Sequence, residues 1–174
     1  MAATAAANIG DLPPELIELI AAYLPTKDLC CGLMLASRYL HACIPPGLVA
    51  RHKKYHRASL ASLAGQGDLS GLQFIFGIRQ IKPDLTTFDV ACGRGHIAVL
   101  DFLARRGFGF CVYNGIYLAF ANNTISIPLI KYMLSFSRQK DLLEDLTTFR
   151  NYAYLFDRDD MMAFLDNELK NLKN

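Results

Sequence analysis

The feature that most restricts what this chain can fold into is a weak internal repetition that begins at Ala58. Its clearest copy, Thr86 to Gly107 (TTFDVACGRGHIAVLDFLARRG), reads as a helix, a glycine turn, a second helix and a glycine stop. Three weaker copies align with it: Ala58 to Ala64 leading to Leu72-Gln73-Phe74-Ile75-Phe76, Ile116 to Asn122 leading to Leu129-Ile130-Lys131-Tyr132-Met133-Leu134, and Thr148 to Tyr154 leading to Met161-Met162-Ala163-Phe164-Leu165. The copies start at 58, 86, 116 and 148, spacings of 28, 30 and 32 residues. One such helix pair has too little apolar surface to bury alone, so pairs must stack, with the terminal ones least regular. The expected fold class is all-α, with residues 58–174 forming a solenoid of about four helix pairs.

Ahead of the repeats, proline sets the punctuation. Asp11 and Pro13-Pro14 start a helix, Leu16, Leu19, Ile20, Tyr23 and Leu24 fall at i, i+3, i+4, i+7 and i+8 along one stripe of it, and Pro25 ends it. Thr26 is placed to cap a second short helix carrying Leu29, Leu33 and Met34. Ser37 is placed to cap a third carrying Leu40 and Ile44, before Pro45-Pro46 stop it. These helices make a small bundle over residues 11–50. Residues 1–10, small and uncharged, are expected to be a flexible tail, and the basic run Arg51 to Arg57 an interdomain connector, with the boundary near residue 57.

Composition narrows the class. With 52% hydrophobic and 20% charged residues in 174, the chain can fill a core. A net charge of +2 is too small to imply nucleic-acid binding across the whole surface. The five cysteines (Cys30, Cys31, Cys43, Cys92, Cys111) are odd in number and lack C-x-x-C spacing. That suits neither a disulfide framework nor a zinc knuckle and points to a reducing, intracellular setting, cytoplasmic or nuclear. No apolar run approaches the roughly 18 residues of a membrane span, and the first ten residues lack the basic and Leu-rich regions of a signal peptide.

Leu12-Pro13-Pro14-Glu15-Leu16-Ile17, Ile20, Tyr23-Leu24-Pro25, Lys27-Asp28-Leu29 and Ala36-Ser37-Arg38-Tyr39-Leu40 together resemble an F-box, over most of residues 11–41. The resemblance implies a three-helix module that docks on a Skp-type adaptor, its apolar helix residues serving partly as interface. The adaptor-contact role then falls on Leu12, Pro13, Leu16, Ile20, Leu24 and Leu29. Two departures imply a weaker affinity: Ala21 stands where a larger residue is common, and the chain has no Trp, which the family often places in the third helix.

The second half resembles ankyrin repeats. Thr86 to Cys92, Gly95-His96, Val99-Leu100, Phe102-Leu103 and Gly107 follow that family's unit, and the other three copies are degenerate, with short periods. The resemblance implies a concave face of hairpin tips and first helices that holds a target protein, with Asp89, Arg94, Tyr117, Asn122, Asn123, Arg150 and Asn151 as its polar or aromatic candidates. Ordinary solvated surface is the competing reading for each of them.

Rival chemistries have less behind them. Phe88 to Gly95 also looks like the glycine-rich first motif of an S-adenosylmethionine-dependent methyltransferase, but no Asp or Glu occurs between Asp101 and Asp141 to hold ribose hydroxyls, and the apolar strand runs of a doubly wound sheet are missing. His52 and His56, four apart with Cys43 nearby, lack further ligands at convincing spacing and read as a solvated linker face. The basic cluster around them contains a single aromatic and matches no nucleic-acid module. Cys92 and His96 are separated by a helix-breaking turn, which argues against a thiol nucleophile. Glu144-Asp145 and Asp159-Asp160 are expected to be solvated charges.

The expected function is recruitment without catalysis, cofactor or metal. The F-box-like helices would hold a Skp-type adaptor, and through it a cullin-RING ubiquitin ligase, while the ankyrin face holds a target near the conjugating enzyme. An ankyrin scaffold without the ligase link is one alternative and the methyltransferase another. So short a combination resembles products of large DNA viruses and effectors of intracellular bacteria, which implies a setting inside a host cell.

Overall fold

Pro13 caps the first helix because its ring fixes φ at −55° with ψ at 147° and because the missing N–H of Pro14 is one that a first turn leaves without a partner anyway. The computed structural model describes residues 9–25, 28–55, 57–78, 84–107, 112–138 and 141–173. The described residues are predominantly helical, and no strand occurs among them. Residues 1–8 of the expected tail, the cap at Thr26, and His56 lie outside the described residues.

The first compact unit comprises residues 1–58 and 73–81. After a 3-10 turn at Ile9–Asp11, α1 (Pro14–Tyr23) runs until Leu24 adopts the extended conformation that a following proline imposes. A π-helical stretch, Asp28–Leu33, leads into α2 (Met34–Ala36). Ser37 then caps α3 (Arg38–Cys43), its hydroxyl accepting from the Leu40 N–H at 3.2 Å. Ile44 is extended ahead of Pro45, and α4 (Pro46–Tyr55) begins with its own proline. Ile17, Ala21, Leu29, Leu33, Leu40 and Ile44 form the core, with Leu12, Leu24, Met34, Cys43, Leu48 and Val49 packed against it. Each fully buried Leu or Ile contributes roughly 1.5–3 kcal/mol.

One expectation fails in this unit and one is incomplete: the chain leaves the unit at residue 58, close to the boundary expected near 57, but residues 73–81 belong to it as well. Residues 51–55 are not an open connector: they are the second half of α4, and His52 and Tyr55 are buried. The partner that buries them is Phe74, edge-on to His52 at 4.7 Å and 5.7 Å from the Tyr55 ring. Phe74 lies in the second half of α6 (Leu69–Ile78), which returns to this unit in a way that a boundary near residue 57 does not anticipate.

The second unit comprises residues 59–72 and 82–174. It contains α5 (Leu60–Gln66), the first turn of α6, α7 (Leu85–Gly93), α8 (Ile97–Ala104), α9 (Val112–Ala121), α10 (Ile127–Leu134), α11 (Leu142–Leu155) and α12 (Asp159–Lys173). The first helices stack in chain order, α5 on α7, α7 on α9 and α9 on α11. The third and fourth copies start earlier than their sequence alignment suggests, at Val112 rather than 116 and at Leu142 rather than 148.

The common element is the turn. Gly67, Gly95, Asn123 and Asp157 all have positive φ, at 70°, 75°, 56° and 51°. The residue after each donates its N–H to a carbonyl five positions back: Asp68 to Leu63 (2.9 Å), His96 to Ala91 (3.0 Å), Thr124 to Ala119 (2.9 Å) and Arg158 to Ala153 (2.9 Å). This is the six-to-one bond of a Schellman ending, made four times. Side chains from the three later turns also reach the preceding pair. His96 Nε2 lies 3.1 Å from the Gly65 carbonyl, Asn122 and Thr124 donate to the Gly93 carbonyl at 2.8 and 2.9 Å, and Arg158 donates to Asn123 Oδ1 at 2.8 Å. The stack is close enough that a Cβ on Gly115 would meet Cys92 Cβ at 2.8 Å.

Candidate functional site

The apolar stripe of α1 divides into two faces. Ile17 and Ala21 have no exposed surface, and Ile20 and Leu24 are half-buried beside them. Leu16, Leu19 and Tyr23 point outward, 46%, 55% and 63% exposed. At i, i+3 and i+7 they form a continuous apolar row on one side of a helix whose other side is core. Exposed single hydrophobics are ordinary, but an aligned row with a buried reverse face is a contact surface in want of a cover.

Of the six residues assigned to an adaptor by resemblance, Pro13 and Leu16 are exposed, Leu12, Ile20 and Leu24 are half-buried, and Leu29 is fully buried in the core. A side chain with no accessible surface offers a partner nothing in this packing, so Leu29 acts by holding the bundle together. Leu19 and Tyr23 of the stripe and Tyr39 of the motif, outside those six, are exposed. Tyr39 donates its hydroxyl to the Leu12 carbonyl at 3.3 Å, tying α3 to the entrance of α1. Its phenol is pushed above the usual range by desolvation first, then by the Cys43 thiol and Glu15. A signal for the outward row was present: Glu15, Leu19 and Tyr23 stand four apart, so a carboxylate marks their side of the helix.

His52 secures α1 from behind. Its ring donates to the Ala21 carbonyl, and burial lowers its pKa below the usual histidine value against the opposing effect of that bond, with Arg51 adding to the depression. The imidazole is therefore a buried core group rather than part of a solvated linker face.

The seven residues expected on a target-binding face divide differently. Arg94, Tyr117 and Asn151 are exposed. Asp89 is half-buried on α7; burial raises its carboxyl pKa while a bond from Asn114 lowers it. Asn122 and Asn123 serve the turns described above, and Arg150 is ion-paired with Asp166 of α12. These four hold the stack together with the same groups that would meet a partner. Tyr117 packs edge-on against Tyr152 and Phe156, each at 5.5 Å.

Three sequence readings of reactive groups also meet the structure. Phe88 to Gly93 is the end of α7, so Gly93 closes a helix and Gly95 follows one, in place of the strand a nucleotide-binding loop needs. Cys92 is fully buried, and desolvation, then Asp89, push its thiol up to about 12, far from thiolate chemistry at neutral pH. Asp145 is not a solvated charge: it is buried and bonded to the Tyr113 hydroxyl, whose pKa it raises to about 12.

No curated protein and no solved structure matches the chain. A family model does match the part of it that carries the apolar row, the one described as F-box-like, over residues 9–52, so this stretch is an F-box-like domain, a module for protein interaction rather than catalysis.

Proposed function

We propose that the chain is a recruiting subunit of a Skp/cullin/F-box ubiquitin ligase. The F-box-like domain docks on a Skp-type adaptor through Pro13, Leu16, Leu19 and Tyr23, with Tyr39 beside the α1 entrance and the half-buried Leu12, Ile20 and Leu24 shaping the same surface. The stacked helix pairs, read as degenerate ankyrin repeats, hold the target, with Arg94, Tyr117 and Asn151 as the exposed contacts. Two modest interfaces on one protein raise the effective concentration of target lysines near the conjugating enzyme.

The observation that carries this reading is the outward row on α1 within a segment that matches the F-box-like family. The test is capture of purified Skp-type adaptor by the full-length protein, with Leu16→Glu as control. Leu16 is 46% exposed, so the substitution should leave the melting temperature within about 2 °C while abolishing capture. A folded protein that captures no adaptor refutes the ligase link and leaves a helical interaction scaffold.

A further inference from the structure

The left-handed turn residues give the second unit a register that carries from one helix pair to the next. Three positions before Gly67, Gly95, Asn123 and Asp157 stand Ala64, Cys92, Phe120 and Tyr154, and two before stand Gly65, Gly93, Ala121 and Leu155. In the first three pairs these positions make the contact with the next first helix. A Cβ on Gly65 would stand 2.8 Å from the Val90 side chain of α7, and one on Gly93 2.8 Å from Leu118 Cβ of α9. Cys92 abuts Gly115, and Phe120, only 3% exposed, packs with Tyr117 against Tyr152 and Phe156. In the fourth pair the equivalent Tyr154 is 72% exposed, with Leu155 exposed beside it. A last unit that faces only water wants a polar outer face; this one presents an aromatic and a leucine. Leu143, Thr147 and Asn151 extend the row from Tyr154 back to the first turn of α11, at i, i+4, i+8 and i+11, all exposed and none charged. The Thr147 hydroxyl donates to the Leu143 carbonyl at 2.7 Å, so covering it strands no donor.

We infer that this face of α11 pairs, antiparallel, with the same face of a second copy of the chain about a two-fold axis. Two observations select this occupant. The face continues the helix-on-helix interface that α7 makes with α9 and α9 with α11, so what fits it is another helix lying along it. The row also matches itself when reversed. Pairing centred at the level of Phe149 sets Leu143 against Tyr154 of the partner subunit and Thr147 against Asn151 of the partner subunit, and the axis makes each contact twice. A charge close to such an axis would meet its own copy, and the row has none. Two rows of this size sit at or below the low end of specific interfaces, roughly 1,200 Å², so the dimer forms reversibly at micromolar concentrations or above. It covers Asn151 and leaves Arg94 and Tyr117 to a target. The inference is independent of the docking reading, which concerns α1.

The test is sedimentation velocity of the full-length protein under reducing conditions, from micromolar to millimolar concentration. Wild type should pass from monomer to dimer. Tyr154→Glu should weaken association at least tenfold with a melting temperature within about 2 °C of wild type, while Leu16→Glu on the unrelated α1 row leaves it unchanged. If Tyr154→Glu proves less stable, Asn151→Arg places a charge beside the axis from a second exposed position and should have the same effect. A monomer at every concentration overturns the dimer and leaves the face to a helix of another protein. A dimer that survives Tyr154→Glu, or that Leu16→Glu abolishes, overturns the assignment to α11.

Discussion

Gly115→Ala is a sensitive test of how the repeats are packed. Taken alone, the change favours the helix by about 1 kcal/mol, because glycine is the poorer helix former. In α9 the added methyl would stand 2.8 Å from Cys92 Cβ and 3.0 Å from its sulfur. Cys92 Cβ is fixed to the α7 backbone and cannot rotate away, so the helices must part, and overpacking of this kind costs about 1–3 kcal/mol. At the middle of that range the packing term outweighs propensity by about 1 kcal/mol, or roughly 2–4 °C in melting temperature for a chain of this length. Gly77→Ala is the control: the same substitution in open space should stabilise by about 0.5–1 kcal/mol. Thermal and urea unfolding followed by far-UV circular dichroism reads both. A Gly115→Ala protein at least as stable as wild type would refute the close α7–α9 contact.

Two further outcomes follow from buried groups. Because folding depresses the pKa of His52, the unfolded chain takes up its proton first, so stability should fall as the pH drops below the ordinary histidine value of about 6.5 and continue to fall until the folded imidazole titrates; a His52→Gln variant with an unchanged pH slope between 5 and 7 would show that another group is responsible. Cys92, buried with its thiol pushed to about 12, should resist iodoacetamide at pH 8 in the native protein while the half-exposed Cys30 and Cys43 react, as read by mass spectrometry of labelled peptides.

Much of the local structure was legible because a few residues dictate it. Pro13-Pro14, Pro25, Ser37 and Pro45-Pro46 delimit the N-terminal helices by ring geometry and hydroxyl capping, effects that need no tertiary context. The face of α1 that points outward was less legible, since Leu16, Ile17, Leu19, Ile20 and Ala21 are apolar almost all round, and only the rest of the core decides that Ile17 goes in and Leu19 stays out. Burial of His52 could not be read from a run of basic neighbours, because the ring that buries it, Phe74, arrives from a distant helix. In the repeats, a search for glycine turns finds Gly67 and Gly95 and passes over Asn123 and Asp157. Asn and Asp are the side chains that tolerate the left-handed conformation best; aligning on Asn123 puts the start of α9 within one residue of Val112, whereas α11 starts early because it has 14 residues against the 9 of α7.

The four identical turns bear on the ancestry of the chain. Each is held by main-chain donors and acceptors around one left-handed residue, and the side chains that follow it, Asp68, His96, Thr124 and Arg158, have nothing chemical in common. Selection on such a turn acts on backbone tolerance and spares most of the letters around it. Descent in a stack of this kind is recorded in the spacing of permissive residues, and lineages that have lost visible likeness in their sequences can still be compared by that rhythm.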